Sequence, residues 1–305
     1  MSSLRITLAL IGYAAFTSLW AAPALSDPSA PNTPAQSPPA APIKQDSSHD
    51  SYLEKGILTV SNQFSTLSSP GNLYGPWNVA KLQYQWSNHN DVPSITLVNR
   101  TDNDRLSPSH SNGVILDDYH TWSDDFYTYA QVGFANGDTL PTRAAYLEGD
   151  LKVTPNRSLI AALGGSVLAN PDGTTTRYLS VGPTWYSNSP MIYTVRFLPA
   201  NTDGVSTSAT ELVAEYNKLG HDQITLTYLS GSQPSILAGA PPSLAVIQRL
   251  NETDIIWNHW LNKRFGFILG GTLGDHYDRA TGASLYQQHG IWLGLFAGRA
   301  IGLPK

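Results

Sequence analysis

Two short runs place carboxylates beside histidine: Asp117-Asp118-Tyr119-His120 and Asp275-His276-Tyr277-Asp278. Neighbours of this kind could bind a divalent ion or orient a general base. The other histidines, His49, His89, His110, His221, His259 and His289, are scattered, with no i, i+4 pair of the helical zinc type and no cysteine to complete a thiolate site. Hydrolysis of lipid or glycan by a serine, a histidine and a carboxylate would need members from different strands, with His259 or His289 as the base. No local signature marks such a set. No glycine-rich phosphate loop follows a strand and opens a helix. The sequence therefore offers no catalytic residue, metal site or cofactor site to name.

A second chemistry is spread more widely. In Ala145-Tyr146-Leu147-Glu148-Gly149-Asp150-Leu151-Lys152-Val153, apolar or small residues alternate with polar ones. Strand side chains alternate between faces, so the segment has one apolar and one strongly polar side. Other segments sort alike. Phe126, Thr128, Ala130, Val132 and Phe134 oppose Tyr127, Tyr129, Gln131 and Gly133, and Met191, Tyr193, Val195 and Phe197 oppose Thr194 and Arg196. Leu212, Ala214 and Tyr216 oppose Glu211, Val213 and Glu215. The polar faces thus collect Glu148, Asp150, Lys152, Arg196, Glu211 and Glu215 together with Tyr127 and Tyr129. In a membrane barrel such residues must face the lumen, because Arg or Lys at the lipid midplane costs about 2–4 kcal/mol. They would then either line a polar conduit or pair off and fill the interior. Trp122, Trp185, Trp257 and Trp260 suit an interfacial girdle.

The elements that must carry these faces are short alternating runs closed by turn signals. The pattern predicts about 14 strands, with 12 as the alternative, at about 18 residues each with the turn included. The predicted strands are 57–67, 77–87, 94–101, 113–122, 126–136, 142–153, 158–169, 174–186, 190–198, 207–218, 222–230, 250–261, 265–277 and 285–298. Most reach the 9–11 residues or so that a tilted membrane strand needs. Tight links at Ser123–Asp125, Thr154–Arg157, Ser187–Ser189 and Asn262–Arg264 should lie at one end. Longer ones at Gly137–Pro141, Pro199–Val205, Gly231–Pro242 and Asp278–Ser284 should lie at the other, with the short Asn170–Gly173 turn as an exception. The fold expected is an all-β, closed, antiparallel up-and-down transmembrane barrel.

Composition agrees with that expectation. Charged residues make up 13% of the chain, about half the share usual in a soluble domain. Aromatics reach 10%, mostly Tyr and Trp. Arg5, the apolar run Ile6–Trp20 and small residues at Ala22-Pro23-Ala24 or Ala24-Leu25-Ser26 read as a signal peptide over residues 1–26. A Pro/Ala/Ser-rich spacer over 27–51 follows, and the barrel should occupy 52–305. A net charge of −5 argues against a nucleic-acid partner. The absence of cysteine suits a barrel held by a closed hydrogen-bond ladder, and equally a soluble periplasmic β-protein.

From Tyr127 to His221 the chain resembles the YaiO-type outer-membrane β-barrel family. The likeness lies in Tyr127–Phe134, in Leu140-Pro141-Thr142-Arg143 leading to Glu148, and in Leu159–Gly165. It continues through Tyr178–Gly182, Trp185-Tyr186 and Tyr193–Arg196. The final strand departs from the common pattern, because Phe296 is followed by nine residues instead of ending the chain. The resemblance implies a surface-exposed barrel without an established reaction, among relatives of similar shape that serve exopolysaccharide export, and it transfers no catalytic residue. The partners expected are outer-membrane lipid and lipopolysaccharide, the barrel-assembly machinery and saccharide. Three functions stay open on the sequence: a non-enzymatic passage or envelope component, an outer-membrane enzyme acting on lipid or glycan, and a closed structural or assembly barrel.

Overall fold

In a computed structural model of the chain, residues 56–298 are described, apart from 71–74, 87–89, 104–107, 157, 188–189, 219–221, 236–245 and 263. The segments read as signal peptide and spacer lie outside the described residues. Every regular element among those described is a strand. The first seven are β1 (Ile57–Ser68), β2 (Trp77–Gln85), β3 (Ser94–Asp102), β4 (Ser109–Thr121), β5 (Phe126–Gly137), β6 (Arg143–Lys152) and β7 (Leu159–Ala169). The rest are β8 (Thr175–Tyr186), β9 (Met191–Thr202), β10 (Val205–Lys218), β11 (Asp222–Ser235), β12 (Val246–Trp260), β13 (Phe265–Asp278) and β14 (Ser284–Gly298).

Each strand pairs antiparallel with its sequence neighbours, and β1 pairs with β14, closing a barrel of 14 strands. Closure leaves no edge, so the ladders can satisfy the strands' backbone groups without water, save where the β8–β9 pairing is interrupted. At the seam the register runs from Ile57↔Gly298 to Ser68↔Gln287. Period-2 burial runs along the strands, and β1 alternates buried and exposed from Ile57 to Phe64. The outer face carries Leu58, Val60, Leu82, Leu97, Leu147, Leu151, Leu226 and Leu293, all exposed. That is the apolar surface a bilayer solvates. The inner face is polar and aromatic.

Strand boundaries agree with the sequence expectation within a few residues, with two exceptions. Pro199 to Thr202 continue β9, so the expected Pro199–Val205 loop is instead the two-residue turn Asp203-Gly204. Both turn residues have positive φ, 45° and 95°, as a type I′ hairpin requires. Pro199 is tolerated because the β8–β9 pairing is interrupted opposite it, at Leu179 and Ser180, where no N–H is needed. The second exception is β11, which runs to Ser235 where a loop was expected from Gly231. The expected segregation of link lengths weakens accordingly: the end opposite the chain's entry, here the far end, carries the two-residue turn.

Candidate functional site: the packed interior

Alternation along β6 turns Tyr146, Glu148, Asp150 and Lys152 inward, and all four are buried. Arg196 on β9 reaches the same region and is 0% exposed. Its Nη2 lies 3.6 Å from Glu148 Oε1. Its Nη1 donates to the carbonyls of Gly182 and Pro183 at 3.2 and 3.3 Å and to Thr184 Oγ1 at 3.3 Å. The β8–β9 ladder is interrupted again at Gly182 and Pro183, so the guanidinium meets carbonyl oxygens there that the adjacent strand does not take up in a regular ladder. Glu148 also accepts hydrogen bonds from Tyr146 Oη and, at 3.4 Å, from Ser180 Oγ.

Around this pair, Tyr119, Tyr127, Tyr129, Tyr146 and Ile160 form one buried cluster. Lys152 Nζ donates to Asp124 O at 2.7 Å and lies 5.6 Å from the centre of the Tyr127 ring. Asp150 Oδ1 and Tyr127 Oη are buried without a protein hydrogen-bond partner. Glu211 stands opposite Arg196 in the β9–β10 ladder, and Glu215 accepts from Asn217 Nδ2 at 3.5 Å. The eight residues singled out as lumen-lining, Glu148, Asp150, Lys152, Arg196, Glu211, Glu215, Tyr127 and Tyr129, are therefore all buried on the inner face.

A feature that sequence reasoning missed lies nearer the far end. The link between β5 and β6 folds into the barrel, burying Thr139 and Leu140. Leu140 is 0% exposed and packs with Trp77, Val79, Val98 and Ile115. Ser111 Oγ accepts from Thr139 N at 2.8 Å and from Leu140 N at 3.3 Å, which pins the loop to the wall. The inward bend begins at Gly137, whose φ is +95° and where a Cβ would meet His110 O at 2.0 Å. Beside the plug, Arg100 lies 5.1 Å from the Trp77 ring centre and pairs with Asp102 at 3.1 Å. The one sequence signal for this arrangement is an apolar Leu140 inside an otherwise polar link.

On the inner side of β12–β14, Trp292 Nε1 donates to Thr272 Oγ1 at 2.9 Å, and Thr272 Oγ1 donates to Asp254 Oδ1 at 2.5 Å. His276 stacks on Tyr286 with ring centres 4.1 Å apart and approaches Glu252 at 3.8 Å. Trp260, expected in the girdle, is instead 6% exposed and packs edge-on against Phe296 inside the barrel. Its even position puts it on the inner side of β12, and the neighbouring Trp257 faces outward. Among the described residues the inner wall buries eight carboxylates, Asp102, Asp117, Glu148, Asp150, Glu211, Glu215, Glu252 and Asp254, against four cations, Lys81, Arg100, Lys152 and Arg196.

The two Asp/His runs are divided by the same alternation. Asp117 and Tyr119 face inward, whereas Asp118 and His120 face outward. Outside, His120 Nδ1 meets Asp91 Oδ1 at 2.5 Å, and the ligand atoms of Asp91, Asp118 and His120 lie within 4.8 Å of one another, close enough to share a divalent cation. His276 turns inward, Asp275 accepts from Gln287 Nε2 at 3.0 Å, and Asp278 accepts from Thr281 N at 2.7 Å in the following turn. His259 Nδ1 lies 2.7 Å from Asp222 Oδ1, between Trp257 and Phe267, and His289 is exposed on the outer face.

Comparison with known proteins agrees with this architecture. The CymD monoaromatic hydrocarbon channel superposes with a TM-score of 0.56 at 8% identity, over 81% of this chain and 89% of that one. The translocator domain of autotransporter NalP from Neisseria meningitidis gives 0.46 at 8% identity, over 80% and 88%. Omp33 of Acinetobacter baumannii gives 0.45 at 11% identity, over 81% and 99%. No curated protein matches the sequence. Residues 55–236 match the YaiO membrane beta barrel domain, which covers more than half of the sequence and includes β1 to β11. The chain belongs to the YaiO membrane beta barrel family.

Proposed function

We propose that the barrel is a non-enzymatic outer-membrane passage for small polar solutes, favouring cations over anions, closed at rest by the 138–142 loop. The observation that carries this reading is the inner wall, where among the described residues buried carboxylates outnumber buried cations two to one. An interior serving only as filler would gain nothing from unbalanced charge, since burying an unpaired carboxylate costs several kcal/mol. Counter-cations that enter the lumen would neutralise it, and water there would hydrate it. Neutral saccharides suit the same wall, because Tyr119, Tyr127 and Tyr129 offer ring faces beside carboxylates and Gln131. Lipid and lipopolysaccharide would then solvate the exposed leucine surface, after insertion by the assembly machinery.

The test is conductance of the purified barrel in planar bilayers under a KCl gradient. The reversal potential should favour K+, and Glu211→Gln with Glu215→Gln should move it toward zero. A barrel that inserts yet never conducts, even with residues 138–142 shortened, would reject the passage. That outcome would favour a closed structural barrel, the reading to which the complete burial of Leu140 lends weight.

A further inference from the structure

Asp150 differs from the other carboxylates on the inner wall of the near end, where the chain enters. Asp117 accepts from Ser94 Oγ at 2.7 Å, Glu148 from Tyr146 and Ser180, and Glu215 from Asn217. Asp150 is 1% exposed, and its Oδ1 has no hydrogen-bond donor in the protein. Tyr127 stands opposite it in the β5–β6 ladder, and Tyr127 Oη is likewise buried without a partner, as is Tyr186 Oη at the end of β8. Burying such oxygens is costly until a donor reaches them.

The same wall shows how it holds a cation. Lys152, the next inward residue toward the near mouth, places its ammonium 5.6 Å from the centre of the Tyr127 ring. Lys81 lies 5.4 Å from the Trp292 ring and Arg100 5.1 Å from the Trp77 ring. Three of the four cations buried among the described residues thus rest on aromatic faces, whose quadrupole attracts positive charge.

An ammonium carries only donors, so it matches an open carboxylate oxygen beside a tyrosine ring. A divalent ion would need several ligand atoms together. Among the described residues, three such atoms converge only at Asp91, Asp118 and His120, outside the lumen. A neutral sugar would leave the described near-end carboxylates Asp117, Glu148, Asp150 and Glu215 facing two cations, Lys152 and Arg196.

We propose that Asp150, with the ring of Tyr127, is a binding site for an alkylammonium group, entered from the near mouth. The inference rests on the reading of the lumen as a space that solutes enter, and it names their class as aliphatic amines. Lys152 marks the recognition mode and competes for the ring. Its ammonium is also held by Asp124 O at the rim, 2.7 Å away, so an incoming amine takes Asp150 as the lysine turns outward.

Saturation-transfer NMR on the full-length barrel in detergent, set against empty micelles, reads binding without any current. n-Butylammonium should give a saturable signal that neither 1-butanol nor methyl glucoside gives, and an equal concentration of KCl should not displace it. Asp150→Asn should weaken binding at least about tenfold, and Lys152→Met should tighten it about threefold, both with heat-modifiable mobility retained. Asp172→Asn, in the exposed turn between β7 and β8, should leave binding unchanged. Should Asp150→Asn fail to fold, Tyr127→Leu takes its place with the same expected loss. No signal from the amine, an equal one from 1-butanol or methyl glucoside, or displacement by KCl overturns the site. Undiminished binding in Asp150→Asn, or weaker binding in Lys152→Met, overturns it too. A barrel that binds the amine but passes no current sinks the passage and leaves this site standing. One that passes K+ and binds no amine does the reverse.

Discussion

Leu140→Ala isolates the closing loop from the barrel that holds it. The side chain is fully buried among Trp77, Val79, Val98 and Ile115, and beyond it the loop is pinned by two N–H groups on Ser111 Oγ. Truncating a fully buried leucine costs about 2.7–5 kcal/mol when the site cannot collapse. Here the loss falls on the seated loop and not on the ladders, which do not depend on residue 140. Taking the lower figure, the ratio of lifted to seated loop should rise about 100-fold. Single-channel recording would read this as a comparable rise in the fraction of time spent conducting, with the conductance of each opening unchanged. Leu147→Ala is the matched control: the same atoms are removed from a residue 61% exposed on the outer face, and gating should not change. Equal open fractions in the parent and Leu140→Ala barrels, or an equal rise in the control, would refute the assignment of this loop as the closing element.

Other outcomes follow from the same geometry. Ser111→Ala removes the acceptor of both loop N–H groups and should raise the open fraction about tenfold, less than Leu140→Ala, in the same recordings. Glu148→Gln removes one of the carboxylates around buried Arg196 while Glu211 stays opposite it, and should destabilise the barrel by about 1–3 kcal/mol, read as an earlier loss of heat-modifiable mobility in a denaturant series. Gly164→Ala would bring a Cβ within 2.7 Å of Tyr146 Oη and 2.9 Å of Glu148 Cβ, so it should disturb the same pair and lower stability where Gly165→Ala does less. Leu147→Arg should cost about 2–4 kcal/mol of stability in lipid vesicles, because it puts a charge on the bilayer side of β6.

Much of the fold was legible because a membrane barrel repeats one rule. Period-2 alternation set the facing of Glu148, Asp150 and Lys152 against Leu147 and Leu151, and turn residues marked most strand ends. Pro199 misled because proline usually breaks a strand, whereas here it occupies a gap in the β8–β9 pairing, and Asp203-Gly204 makes the turn four residues later. Trp260 misled because an interfacial tryptophan and an inward one have the same composition signal and differ only in the parity of their position. Arg196 could be placed on the inner face, but its hold on the Gly182 and Pro183 carbonyls depends on a ladder interruption that alternation does not encode. The Leu140 plug left no signal beyond its own apolar side chain for a related reason: a loop's path has no periodicity, and its partners Trp77 and Val98 come from strands far away in sequence.

The β1–β14 seam has a consequence for biogenesis. Every other pairing joins neighbours in the chain, but Ser65 and Gln288, whose side chains touch at 3.4 Å, are made more than 220 residues apart. The first strand to leave the ribosome is thus the last to find its second neighbour. Throughout export its row of unpaired amides and carbonyls is open to any other strand, including a copy of itself. A chaperone that shields residues 57–68 until the fourteenth strand arrives would guard the edge that stays open longest. Truncating β14 should leave β1 and β13 as open edges through which the chain aggregates.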